Sequence, residues 1–130
     1  MPYRANYPAT VAEVLDDRMT FKPAALAAVR ELARAKPWRK SQSDRLELFR
    51  VAAGKLAGAY GISRPAVKRG TVDCYEPWSN RIRLTSRMSV VTFLHEFAHA
   101  RGFDERQACR WSINLFRRCF PRSFASCRQV

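Results

Sequence analysis

With 130 residues, 47% of them hydrophobic, the chain is long enough to bury one real core and too short for a second independent domain. No apolar run approaches the length of a bilayer span and the opening Met1-Pro2-Tyr3-Arg4-Ala5-Asn6 lacks the apolar centre of a secretory signal, so the expectation is a cytoplasmic protein with no membrane partner. Twenty-four basic residues against 11 acidic ones give a net charge of +13, which attracts polyanions and makes nucleic acid a candidate partner, although no helix-turn-helix, RNP or finger pattern accompanies it.

Taken in chain order, residues 1–60 read as helical. Pro23 suits a first helical turn, and Leu26, Val29, Leu32 and Ala33 recur at helical spacing until Lys36-Pro37 stops the pattern. A basic connector, Trp38-Arg39-Lys40-Ser41, leads to Asp44 and Glu47, expected as a capping pair. The stripe Leu46, Phe49, Ala53, Leu56, Ala57 and Tyr60 follows and ends at Gly61. Between Ile62 and Thr85 the period shortens. Pro65, Gly70, Pro77 and Ser79-Asn80 punctuate three expected strands over residues 65–69, 71–75 and 81–85, the last alternating Ile82 and Leu84 with Arg81, Arg83 and Thr85. The simplest arrangement is a small three-stranded antiparallel meander.

Helical spacing returns from Ser89 to Ala100, apolar on nearly every side, so this helix should be central and buried; Gly102 ends it. A last helix is expected from about Asp104 to Cys119, before Pro121, and residues 120–130 read as a basic tail. The predicted class is α+β, with one domain over 1–130. Cys74, Cys109, Cys119 and Cys127 form no CxxC pair and are expected to be reduced and packed.

The sharpest chemistry lies in His95-Glu96-Phe97-Ala98-His99. Residues i and i+4 share a helix face, so both imidazoles can reach one ion, while Glu96 lies about a hundred degrees round, beside the ion rather than on it. The chain has two histidines, and both are here. Two imidazoles and a carboxylate on an apolar helix are costly to bury without a partner, and a metal supplies one. Zn2+ is the expected ion, held by two imidazoles and one carboxylate with a fourth position open. It would acidify a bound water and polarise a carbonyl, with Glu96 as general base and then acid. For the third ligand, Glu105 falls on the centre of the last helix's apolar stripe and Asp104 towards its edge, where it also suits an N-cap.

The segment His95 to Glu105 resembles the zincin metallopeptidases, in which HExxH supplies two ligands and a base. The path through Gly102 looks like the metzincin turn, but the last acid is Glu and no methionine follows Met88. A carboxylate on the next helix resembles instead the short gluzincins and the intracellular SprT-like proteins, over roughly residues 62–119. The resemblance implies a zincin-like fold, a peptide or protein substrate, and substrate addition as a strand along residues 81–85, where Arg81 and Arg83 would favour acidic segments. It also implies an oxyanion stabiliser, for which Tyr75 is the candidate. Trp111 and Phe116 are candidates to shape a pocket near the metal, with packing the plainer role. Arg106, Arg110, Arg117, Arg118, Arg122 and Arg128 make the C-terminal segment basic enough to contact phosphates, against the plain reading of solvated helix-face charges.

Overall fold

The computed structural model describes residues 11–126; Cys127, Arg128 and the N-terminal opening lie outside them. Six helices and three strands follow in order: α1 (Val11–Val14), α2 (Pro23–Arg34), α3 (Gln42–Tyr60), β1 (Ala66–Arg69), β2 (Cys74–Glu76), β3 (Arg81–Leu84), α4 (Val90–Ala100), α5 (Glu105–Cys119) and α6 (Pro121–Ser126). The class is α+β. None of the helices is long and apolar enough to cross a membrane.

Helix ends follow local chemistry. Pro23 opens α2, where its missing N–H costs nothing. Ser41, not Asp44, caps α3: the Ser41 hydroxyl accepts from the Asp44 N–H at 3.1 Å. The Asp44/Glu47 capping pair is thereby corrected, because the helix starts three residues earlier and Glu47 faces Arg50 at 3.6 Å instead. Gly61 closes α3 in the left-handed conformation.

The sheet is mixed rather than an antiparallel meander. Its order is β1-β3-β2, with β1 parallel and β2 antiparallel to β3. Ile82 and Leu84 are fully buried whereas β1 contributes only Val67 to the core, so the strand with two core residues takes the centre. Residues 70–73, which the alternation assigned partly to a strand, form the loop that carries the chain from β1 past the end of β3 to β2. Asp73 in that loop accepts from the Thr85 N–H at 2.8 Å and ties it to the end of β3. Residues 81–85 therefore do not form a sheet edge, and no peptide can add there, since β3 is paired on both sides.

One cluster of buried side chains runs from Ala25 and Val29 of α2 through Phe49 and Leu56 of α3 and the sheet to Phe93, Leu94 and Phe97 of α4. The Phe49 and Phe93 rings stack with centroids 4.8 Å apart. The C-terminal residues expected as a tail form α6 as far as Ser126, and Phe124 packs on the satellite cluster of Val14, Cys109 and Ile113. Buried Asn114 accepts from the Asp16 N–H and donates to the Val14 carbonyl, both at 2.8 Å, anchoring the stretch after α1 on α5. Cys74, Cys109 and Cys119 are free thiols.

Candidate metal centre

Helix α4 is central, as its sequence predicts: Thr92 to Ala98 are all buried, including His95 at 1% and Glu96 at 3% exposure. What brings the next helix back onto it is the turn at its end. Arg101 caps the helix, Gly102 adopts φ +91°, the Gly102 N–H donates to the His99 carbonyl at 2.9 Å, and the Phe103 N–H reaches back to the Ala98 carbonyl at 3.1 Å. This is a Schellman stop, and its left-handed residue favours glycine. Asp104 then caps α5 in a reciprocal pair with Gln107, each side chain accepting from the other's backbone N–H, at 2.8 and 3.0 Å.

Asp104 is thus occupied as the cap, and Glu105, one residue on, turns inward. Glu105 Oε1 lies 3.1 Å from His95 Nε2 and 3.0 Å from His99 Nε2, and the two Nε2 atoms are 3.2 Å apart. Tetrahedral zinc bonds of about 2.0–2.1 Å place neighbouring donor atoms about 3.3 Å apart, so this triangle has the dimensions of one face of such a site. The proton positions follow from the remaining partners. His99 Nδ1 lies 2.9 Å from the Phe103 carbonyl, which can only accept, so Nδ1 carries the proton and Nε2 presents its lone pair. Cys109 Sγ lies 3.6 Å from His95 Nδ1, and its S–H donates to Glu105 Oε2 at 3.9 Å. With the thiol proton on the carboxylate side, the sulfur can accept from His95 Nδ1–H, and in that tautomer the second Nε2 also points its lone pair inward. Three acceptors converge where at most one proton fits between them, and a cation fits all three. His95, Glu105 and Cys109 also form a second, looser donor group. The tighter set through His99 is the better metal site, because Cys109 meets the rear nitrogen of His95 and the far oxygen of Glu105.

Cys109 is the member of this side-chain cluster that sequence reasoning overlooked. It sits on the apolar stripe of α5 and is fully buried, so it reads as a small core residue. Its position four residues after Glu105, on the same helix face, was the available signal.

Beside His99, the one donor of the three that reaches it, lies a cleft of about 550 Å³, walled by Glu96, His99 and Phe103 on one side and Cys74, Tyr75 and Pro77 on the other. Burial, together with the Glu76 and Glu96 carboxylates, raises the Cys74 thiol pKa above its ordinary value. Burial likewise raises that of Tyr75, whose hydroxyl donates to Asn80 Oδ1 at 2.7 Å. A roomier apolar cavity of about 600 Å³ lies towards the other end of α4, between Met88 and Phe120, and none of the three donors lines it.

The other residues of interest are dispersed. Trp111 is buried against Phe97 and does not line the cleft; Phe116 stacks on Phe120 and lines the apolar cavity. Arg83 is bonded to Glu76 at 2.7 Å. Arg110 pairs with Asp16, Arg117 with Asp17 at 2.6 Å, and Arg118 donates to the Met19 carbonyl, which leaves Arg106 and Arg122 as the exposed cations of this group without such partners among the described residues. No protein-family model, curated protein or solved structure matches the chain.

Proposed function

We propose that the chain is a zinc-dependent metallopeptidase that cleaves peptide bonds in the cleft between α4 and β2. The observation that carries this reading is the 3.0–3.2 Å triangle of His95 Nε2, His99 Nε2 and Glu105 Oε1, with the His99 Nδ1 proton directed to the Phe103 carbonyl. These three residues would hold the ion. A zinc ion bound there supplies Lewis-acid polarisation of the substrate carbonyl and lowers the pKa of water.

The rest is done by the chain itself. Glu96, one residue after His95 and lining the cleft beside His99, accepts the proton of the attacking water and delivers it to the leaving amine nitrogen. Its burial, at 3% exposure, limits competing water. Strand β2 is paired on one side by β3, so the edge bordering the cleft is the one that suits an extended peptide, in place of residues 81–85. The Tyr75 hydroxyl is engaged by Asn80 and would have to leave that bond to serve an oxyanion. In the test, Glu96→Gln should retain zinc and lose cleavage of an unstructured protein substrate. Cleavage persisting in that variant would refute the assigned role.

A second reading, nucleic-acid binding around a structural zinc, draws on the net charge of +13. The engagement of Arg110 and Arg117 with aspartates weakens the basic stripe on α5. Combined with the first reading it describes a protease acting on DNA-bound proteins. A steep fall of DNA affinity with salt, without any cleavage, would favour it.

A further inference from the structure

Away from the three donor atoms, the Arg101 guanidinium is held among aromatic rings without a protein acceptor among the described residues. The guanidinium carbon of Arg101, at the end of α4, lies 3.6 Å from the Tyr60 ring centroid, 4.4 Å from that of Phe103 and 5.5 Å from that of Trp111. Rings from the end of α3, the Schellman turn and α5 thus surround it. Stacking engages the faces of a guanidinium and leaves unanswered its five N–H donors, which point outward in its plane. Several other arginines have protein acceptors: Arg45 donates to the Pro37 carbonyl, Arg50 to the Val67 carbonyl, Arg83 to Glu76 and Arg118 to the Met19 carbonyl. Among the described residues, no carboxylate or carbonyl accepts from the Arg101 side chain.

Arg101 borders a cavity of about 470 Å³ that also takes in Lys22 and Thr20 and has no acidic residue in its wall. Lys22 Nζ lies 5.5 Å from the same Tyr60 ring centroid and donates to the Ala59 carbonyl at 3.2 Å, which uses one of its three protons. Two cations and a hydroxyl beside aromatic walls make the cavity complementary to an anion with at least two terminal oxygens. We infer that it is an oxyanion-binding site for a phosphate or carboxylate group, taken in fork geometry by the in-plane donors of Arg101 with Lys22 as the second charge. The site does not depend on the metallopeptidase reading. Phe103 is a wall of both this cavity and the metal cleft, so the two are neighbours.

The test follows the arginine Nε–Hε signals of the full chain by NMR during titration with inorganic phosphate and, separately, acetate, at ionic strength held constant with chloride. The expected result is a saturable shift of the Arg101 signal, with binding about tenfold weaker or more in Lys22→Gln, read on the same signal, and in Arg101→Lys, read on the backbone amides of Lys22 and Phe103, each variant checked for fold by circular dichroism. Lys22 is exposed, so its variant leaves the core intact. Tighter binding of phosphate would assign the natural group to a phosphate, and tighter binding of acetate to a carboxylate. A shift that grows linearly without saturating, or affinity unchanged in Lys22→Gln, would overturn the inference.

Discussion

Replacing Cys109 by alanine tests whether one thiol orients two metal ligands at once. In the wild type the sulfur lies 3.6 Å from His95 Nδ1 and 3.9 Å from Glu105 Oε2, behind the inward-facing Nε2 and Oε1 atoms. Alanine removes both contacts, freeing the His95 tautomer and the Glu105 rotamer. Loss of a partner behind a metal ligand costs about 10–100-fold in affinity, or about 1.4–2.7 kcal/mol. The site is fully buried, so the small void costs on the order of a further 1 kcal/mol of stability, with or without metal. Competition with a chromophoric chelator reads the first quantity, and urea unfolding of chelator-treated protein reads the second. Cys109→Ser, which keeps a donor and an acceptor, should bind zinc within a few-fold of wild type. Alanine binding zinc as tightly as wild type would refute this role, and so would an equal loss in both variants, since packing alone would then matter.

Other outcomes follow from the same geometry. Gly102→Ala, at φ +91°, should destabilise the chain by about 1–2 kcal/mol in urea unfolding and weaken zinc binding, because the turn places Glu105. Glu96→Gln should lower kcat by a factor of about 10²–10⁴ in a peptide assay while leaving zinc content unchanged. Asp104→Ala should cost about 1 kcal/mol of thermal stability through the lost α5 cap, with zinc still bound, whereas Glu105→Ala should release zinc. Chelation of wild-type protein, starting from zinc at 100 times its Kd, should remove about 2.7 kcal/mol of stability, a fall in Tm on the order of 10 °C for a chain of this size.

What was legible in the sequence was whatever a short stretch of chain decides. The buried HExxH helix, its stop at Gly102 and the last helix all stand close to where periodicity put them, because each is fixed by neighbours within a turn or two. The choice between Asp104 and Glu105 was legible from helix phase: the residue on the apolar stripe faces His95 and His99, and the one before it caps. The sheet was not, since Gly70, Pro77 and Asn80 mark where the chain turns without saying which neighbour the next strand pairs with. Pairing was decided by burial of Ile82 and Leu84, a tertiary effect. The aromatic surround of Arg101 joins residues 60, 103 and 111 across three elements, which no local pattern announces.

The most direct measurement is the metal content of the purified full chain by elemental analysis, beside His99→Ala and Glu105→Ala, with melting curves before and after chelation. One zinc per wild-type chain is predicted, lost in both variants, with a lower Tm once the ion is withdrawn. A metal-free chain that is fully folded, and whose Tm does not move when zinc is added, would contradict the account.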